Sequence, residues 1–352
     1  MTASTRSAPV LVTGGCGFVG RHVVARLIGD GRSVWVIDNL STGKPPAEWA
    51  AALGLSPIGP TGTEFSHPNG ATLTWIEGDM RDVLGSARDG LLELPAFGDV
   101  FHLAAVVGGR MKIDGDPLSV ATDLAIDAEF FNWAIAARPE RILYASSSAA
   151  YPVRLQGDTG HVALREEMVD FANGNLGAPD MTYGWAKLTG EFLSRIAAST
   201  YGLHVACVRP FSGYGEDQDE SYPIPAIAAR AARHEEPLTV WGSGQQGRDF
   251  VHIDDCVEAM IRVLDVISDG SAINIGSGRL TTFVEVARLF ADLAGYQPEI
   301  VPLIDKPVGV QARYADTSQM ESLLNWSPAI SLVDGFRRVI QAAERRIAAT
   351  MV

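Results

Sequence analysis

PVLVTGGCGFVG, residues 9–20, restricts what this chain can fold into more than any other stretch. Val10-Leu11-Val12 is a short apolar run of the kind that makes a buried parallel strand. Gly14, Gly17 and Gly20 follow at intervals of three, and RHVVARLIGDG after them is helical in pattern. Glycine at this spacing lets the chain turn tightly. It also brings backbone N–H groups to a helix N-terminus, where a pyrophosphate is favoured. A glycine triplet by itself also suits a structural turn. Placed between a strand and a helix, it predicts a dinucleotide site.

The second strand, Ser33-Val34-Trp35-Val36-Ile37, ends at Asp38, 24 residues past Gly14. A carboxylate there accepts hydrogen bonds from both hydroxyls of an adenosine ribose and repels a 2′-phosphate, so the expected cofactor is NAD. Leu73-Thr74-Trp75-Ile76 reads as a third strand, with Asp79 just beyond it in reach of an adenine amino group. The expected fold class is α/β, a doubly wound parallel sheet with a smaller C-terminal substrate domain. The expected division is 1–209 with about 249–278, against 210–248 with about 279–352. Residues 45–70, rich in Pro, Gly and Ser, read as an irregular excursion.

The net charge of −14 disfavours nucleic acid as a partner. No apolar run is long enough for a membrane span, and the polar start leaves no room for a signal peptide, so a cytoplasmic location is expected. The three cysteines, Cys16, Cys207 and Cys256, are scattered, and no histidine stands at metal-ligand spacing from them; neither a disulfide framework nor a metal site is expected.

TGGCGFVG, the continuation DNLSTGK and HLAA at 102–105 together resemble the extended short-chain dehydrogenase/reductases, the Rossmann-fold nucleotide-sugar epimerases and dehydratases. The resemblance runs from Val10 to about Trp326. It implies cofactor contacts from Gly14, Gly17, Phe18 and Val19, then Asp38, Asn39, Ser41, Thr42 and Gly43. Asp79, Met80, Leu103, Ala104, Ala105 and Pro210 complete that set, and Val107 and Gly108 are expected at the substrate.

TYGWAKLTGE at 182–191 opens a helical stretch that places Tyr183 and Lys187 on one face. Read alone, the pair is two solvated side chains. After a dinucleotide fold and a serine loop, it is a proton-transfer pair that also touches the cofactor. A neighbouring ammonium favours a phenolate, which can then take a proton from a sugar hydroxyl. The lysine can also hydrogen-bond the nicotinamide ribose.

The stretch YASSSAAYP at 144–152 supplies the third group. In the family the working Ser or Thr stands four residues before the tyrosine of a VYG-like tripeptide, which selects Ser147, with Ser148 as the alternative and as a substrate neighbour. The polar, Gly-rich residues 154–181 read as a lid over the site.

RPFSGYGE resembles the family's R-x-x-N-x-Y-G junction, with Ser212 where the family has Asn. VWGSGQQGRDFVHIDD resembles a family segment whose arginine, here Arg248, suits paired phosphate oxygens. A structural ion pair is the competing role. Arg313 in ARYADTS resembles the arginine that completes the diphosphate site, with Lys306 as a further cation and Asp316 as a helix cap.

The resemblance implies an NAD-dependent 4-epimerase of a nucleotide-diphospho sugar working through a 4-keto intermediate. Alternatives are a 4,6-dehydratase, a 3,5-epimerase, a decarboxylase, a keto-sugar reductase or a non-catalytic NAD-binding sensor. The family's dehydratases carry Asp and Glu after the working Ser/Thr, where this chain has Ser148 and Ala149; its 3,5-epimerases carry Cys at the position of Ala149. A residue brought in by the 154–181 loop, such as Glu166 or Glu167, could supply such a base. VVGG at 106–109 resembles GDP-sugar enzymes. The helices near 119–137 and 183–199 are apolar on more than one face, and the family pairs them across a two-fold axis, implying a homodimer.

Overall fold

The computed structural model describes residues 8–108, 114–157 and 160–350. The first lobe runs β1 (Val10–Thr13), α1 (Phe18–Gly29), β2 (Val34–Asp38), β3 (Ser56–Pro57), β4 (Glu64–Ser66), β5 (Thr72–Glu77) and α2 (Met80–Arg88). It continues with β6 (Asp99–His102), α3 (Asp123–Ala137), β7 (Arg141–Ala145), α4 (Met181–Ser199) and β8 (Val205–Pro210). Beyond lie β9 (Ser212–Tyr214), α5 (Pro223–Ala232), β10 (Leu238–Trp241), β11 (Gly247–Arg248), β12 (Phe250–His252), α6 (Ile253–Val263) and β13 (Asp269–Ile275). The chain ends with β14 (Thr281–Thr282), α7 (Phe283–Ala294), β15 (Ile300–Leu303), β16 (Ala312–Arg313), α8 (Ser318–Leu324) and α9 (Leu332–Thr350).

Nine strands form the main sheet in the order β13-β8-β7-β6-β1-β2-β5-β4-β3, parallel from β13 to β5. Apolar residues of adjacent positions bury on opposite faces, as a parallel sheet covered on both sides requires. Val10, Val12, Val34, Val36 and Leu143 pack with α1 and α6, whereas Leu11, Ile37, Ile142 and Tyr144 pack with α2 and α3. This is the doubly wound α/β architecture expected from the sequence. Its strand order reverses beside β1, where a crevice opens at the strand C-terminal ends.

Residues 45–70 differ from the expected irregular excursion. β3 and β4 add antiparallel strands to the sheet edge beyond β5, anchored by buried Leu55 and Phe65. β4 turns a single apolar side chain inward between exposed Glu64 and Ser66, too short a pattern to read as a strand.

Tyr214, Ile224, Ile227, Leu238, Phe290, Phe336 and Val339 form a cluster of their own, apart from both sheet faces. On that ground we propose the division into a nucleotide lobe and a smaller substrate lobe. α8 is the exception to the expected boundary, because Met320 and Leu324 pack into the sheet-face core with α6.

Candidate active site

The glycine turn is shaped by close approach. Gly14 has φ +71°, and a Cβ there would stand 2.8 Å from the backbone nitrogen of Ala104. A Cβ on Gly20 would stand 2.2 Å from the Gly14 carbonyl oxygen, so α1 can begin this close to β1 only without side chains. Gly17 is the N-cap of α1 and supplies no side-chain cap, which leaves first-turn N–H groups for a ligand. Phe18 and Val19 form that first turn and are half-buried.

Loop 39–44 closes beside the turn: Lys44 N–H donates to the Cys16 carbonyl at 3.0 Å, and a Cβ on Gly43 would meet Cys16 backbone at 2.9 Å. Asn39 Oδ1 accepts from Ser41 N–H at 3.1 Å, and Thr42 follows in the same loop. Asp38 accepts from Cys16 N–H at 2.9 Å and from Leu40 N–H at 2.8 Å. Burial pushes its carboxyl up, and those N–H groups oppose the shift. Leu103 N–H donates to the Thr13 carbonyl at 3.1 Å and Ala104 N–H to Thr13 Oγ at 3.3 Å, which holds 103–105 against the turn. Asp79 caps α2, before buried Met80, and its carboxylate is occupied by Arg81 at 2.7 and 2.9 Å. The reach of Asp79 to an adenine is therefore shared with an arginine that the sequence reading did not include. A cradle that any Cβ would fill, an uncapped helix N-terminus and a carboxylate at the end of β2 fit a dinucleotide.

Across the crevice the serine loop meets the start of α4. Asp180 N–H donates to the Ala149 carbonyl at 3.0 Å, and a Cβ on Gly184 would stand 2.4 Å from the same oxygen. The glycine between Tyr183 and Lys187 is what lets the helix carry them so close to the serines. Lys187 Nζ lies 6.0 Å from the Tyr183 ring centroid and 5.4 Å from that of Tyr144. Burial acts to lower the Lys187 ammonium, but Asp127, Tyr183 and Asp123 outweigh it and hold its pKa above the ordinary value.

The three serines have different surroundings. Ser146 is buried and donates to Glu191 Oε1 at 2.5 Å, and Glu191 in turn holds Arg209 at 2.7 and 2.8 Å. Ser148 is 6% exposed. Ser147 is half-buried and accepts from Ala149 N–H at 3.1 Å, capping the single turn 148–150. Of the three, Ser147 is the one open to a ligand.

β11 and β16 pair in parallel and set Arg248 directly beside Arg313, so two of the expected diphosphate cations are brought together. Arg248 donates to the carbonyls of Gly247 at 2.8 Å and Val308 at 3.0 Å. Arg313 donates to Gln156 Oε1 and pairs with Asp180 at 2.8 Å, which ties it to the residue that precedes α4. Exposed Lys306 lies over the Trp241 ring at 5.8 Å. Ser212 and Pro210 flank buried Phe211 at the end of β8, and Asp316 caps α8 through Ser318. Val107 is 38% exposed beside Gly108, while Gly109 lies outside the described residues.

The 154–181 stretch, expected as a lid, is anchored by apolar packing. Leu164 pairs with Ala315 and, with Val169, buries against Tyr151, Leu188 and Phe211. Glu166 accepts from Asn274 N–H at 2.8 Å, and exposed Glu167 pairs with Arg165 at 2.8 Å. Apolar residues spaced irregularly through polar sequence hid this packing.

Sequence reasoning also missed a buried polar chain beneath Lys187. Thr13 Oγ and His102 Nδ1 are 2.8 Å apart, His102 Nε2 and Asp127 are 3.1 Å apart, and Tyr144 OH donates to Asp127 at 2.6 Å. Burial pushes the His102 imidazole down against the pull of Asp127, and drives the Tyr144 phenol far up. Asp127 is thus engaged by both rings in the layer beneath the lysine.

Residues 10–276 match the model of the NAD dependent epimerase/dehydratase family. A UDP-glucose 4-epimerase of Mycolicibacterium smegmatis is 25% identical over 335 residues, covering 94% of this chain and 97% of that protein. The crystal structure of the Thermotoga maritima UDP-glucose 4-epimerase with UDP-glucose superposes with TM-score 0.79 at 26% identity, covering 96% of this chain and 99% of that one. A UDP-N-acetylglucosamine 4-epimerase from Methanobrevibacter ruminantium M1, in complex with UDP-N-acetylmuramic acid, gives TM-score 0.75 at 25% identity, covering 96% and 99%. Family match, fold and crevice agree: this chain is a member of the NAD-dependent epimerase/dehydratase family.

Proposed function

We propose that this enzyme interconverts C4 epimers of a nucleotide-diphospho sugar, with Ser147, Tyr183 and Lys187 as its catalytic residues. The observation that supports the reading is the contact between the serine loop and the start of α4: Asp180 N–H donates to the Ala149 carbonyl at 3.0 Å, and Lys187 Nζ lies 6.0 Å from the Tyr183 ring centroid. Bound NAD supplies the redox chemistry, taking up and returning the hydrogen at C4. The phenolic oxygen of Tyr183 takes the C4 hydroxyl proton and later gives it back. Lys187 favours the phenolate and holds the cofactor ribose. Ser147 hydrogen-bonds the sugar oxygen throughout. Arg248 and Arg313, neighbours on paired strands, take the diphosphate, with Lys306 at the rim and Val107, Gly108 and Ser212 lining the sugar, while Ser148, expected there from the sequence, is buried.

Beyond Ser147 the serine loop carries no carboxylate, thiol or amine, and the Tyr151 hydroxyl is buried and donates to Asn274 Oδ1 at 2.7 Å. Ala149 is 3% exposed, Glu166 is held by the Asn274 N–H, and Glu167 is paired on the surface. With no such group on that loop to take a proton from C5 or donate one to a C6 leaving group, the reading is that the 4-keto sugar reorients and is reduced again. The substrate test is thermal shift against UDP-, GDP-, dTDP-, CDP- and ADP-sugars, beginning with UDP-glucose and UDP-N-acetylglucosamine. Saturation at 100 times Kd adds about 2.7 kcal/mol of stability. A protein that melts identically with every nucleotide sugar contradicts the reading.

Ser147→Ala should lower turnover more than Ser148→Ala, because Ser147 is half-buried and Ser148 is buried. Steady-state kinetics of the two variants check this; the reverse order places the working hydroxyl one residue on. NAD should bind more than about tenfold tighter than NADP, since Asp38 is held as an acceptor toward the ribose and like charges there cost over ~1.4 kcal/mol. Calorimetry showing equal affinities contradicts that.

We further propose a homodimer through α3 and α4. Trp185 and Phe192 on α4 are each 49% exposed, and Leu124 on α3 is 42% exposed. Large apolar side chains along adjacent helices suit burial against a second copy. Light scattering at micromolar concentration should give twice the 37.6 kDa chain mass, and the chain mass itself would contradict the dimer.

A further inference from the structure

Ser147 lies between two attachments of its loop to the helix that carries Tyr183 and Lys187. After it, the Ala149 carbonyl accepts from Asp180 N–H at 3.0 Å, just before the first turn of α4. Before it, Ser146 Oγ donates to Glu191 Oε1 at 2.5 Å. Tyr183, Lys187 and Glu191 follow one another at intervals of four, so they form one stripe along α4. The bond to Glu191 therefore fastens the serine loop to the same stripe that carries the phenol and the ammonium.

The anchor is itself held from several sides. Glu191 has no exposure to solvent, and Arg209 donates to both of its oxygens, at 2.8 Å to Oε1 and 2.7 Å to Oε2. The Arg209 guanidinium lies over the Tyr151 ring at 4.7 Å and donates to the Glu166 carbonyl at 3.3 Å. Tyr151 OH donates in turn to Asn274 Oδ1 at 2.7 Å. Strand β8, the far end of the serine loop and β13 all contribute to this support. The pairing of Glu191 with Arg209 is complete without Ser146. What the serine bond adds is a fixed place for Ser146 on a buried carboxylate, through the strong kind of hydrogen bond that an ionised acceptor makes.

Ser147 has extended backbone, φ −159° and ψ 154°, in which neighbouring side chains project to opposite sides. Ser146 is 5% exposed and Ser147 half-buried, in line with that alternation. Drawing Ser146 Oγ onto Glu191 therefore turns the Ser147 hydroxyl the other way. We propose that Ser146 is a positioning residue for the reaction: bound to the Glu191–Arg209 pair, it fixes the direction of the Ser147 hydroxyl relative to Tyr183.

This inference rests on the proposed role of Ser147, and the test separates the two. Ser146→Ala removes one hydroxyl and leaves Glu191 and Arg209 paired, so no buried charge loses its partner. The assay uses NAD-loaded protein and the nucleotide sugar of the thermal-shift panel that stabilises it, UDP-glucose first. In Ser146→Ala, kcat should fall on the order of tenfold, the cost of a misdirected group near the chemistry. The Kd values for NAD and for that sugar should stay within about twofold. In a Ser147→Ala background, Ser146→Ala should lower kcat by less than about a further twofold, because the group it directs is gone. A merely structural Ser146 would cost the same factor in both backgrounds. That result overturns the proposal, as does wild-type kcat in Ser146→Ala. If Ser146→Ala does not fold, Ser146→Cys takes its place, since a thiol keeps the volume and is a weaker donor. Its kcat should fall on the order of threefold, with the effect again lost in the Ser147→Ala background, and wild-type kcat overturns the proposal. Loss of turnover in Ser147→Ala beside wild-type turnover in Ser146→Ala leaves the catalytic reading standing and sinks this inference alone. Wild-type turnover in Ser147→Ala removes the catalytic role of Ser147 and this inference with it.

Discussion

Tyr183→Phe is expected to leave NAD and nucleotide-sugar affinity in place while turnover falls roughly 10²- to 10⁴-fold, the usual loss when an acid/base group is removed. The substitution takes away one hydroxyl from a half-buried ring on the first turn of α4. It leaves the contact between Gly184 and the Ala149 carbonyl untouched, so the serine loop and Lys187 keep their places. Calorimetric Kd values together with kcat provide the check. A variant with more than about half of wild-type turnover would show that the proton leaves the sugar by another route.

Lys187→Ala is expected to act on stability as well as on chemistry. The wild-type ammonium is buried, and Asp127, Tyr183 and Asp123 hold its pKa above the ordinary value against that burial. Removing it leaves a void and takes a positive charge away from a buried region that holds two carboxylates, a change expected to cost about 0.5–3 kcal/mol. Part of this is recovered when Asp123 takes a proton, which its raised pKa already favours. The melting temperature should fall by several degrees, NAD should bind about tenfold more weakly, and turnover should fall on the order of 10²-fold or more. Lys187→Met, which fills the same space, should recover packing but not affinity or turnover. Differential scanning calorimetry and NAD titration of both variants test this; wild-type NAD affinity in either would remove Lys187 from the cofactor site.

What could be read from the sequence is what depends on short intervals. The strand–glycine–helix order, the carboxylate at the end of β2 and the i, i+4 spacing of Tyr183 and Lys187 are local patterns whose geometry follows from the element that carries them. Their partners were not legible. Thr13 and His102 are 89 positions apart, and Arg313 and Asp180 are 133 apart; only the packed sheet brings such pairs together. The role of Glu191 is similar: it lies mid-helix between Gly190 and Phe192, wholly buried, and holds both Ser146 and Arg209. No periodicity marks a buried carboxylate whose cation arrives from the next strand. The lid misreading has the same origin, since Leu164 and Val169 find their core on elements far along the chain. The edge strands β3 and β4 escaped notice for the opposite reason, having too few residues to show any period.

The proposed C4 epimerisation makes one demand that no related reaction shares: hydrogen leaves and re-enters only at C4, without exchange with water. Ser148 and Ala149 cannot take a proton from C3 or C5, and Glu166 and Glu167 are engaged elsewhere. The direct measurement is NMR of the product formed in D₂O from whichever nucleotide sugar stabilises the protein. The expected product is the C4 epimer with no deuterium at C3, C4 or C5. Deuterium at C3 or C5, or accumulation of a 6-deoxy-4-keto sugar, would contradict the account.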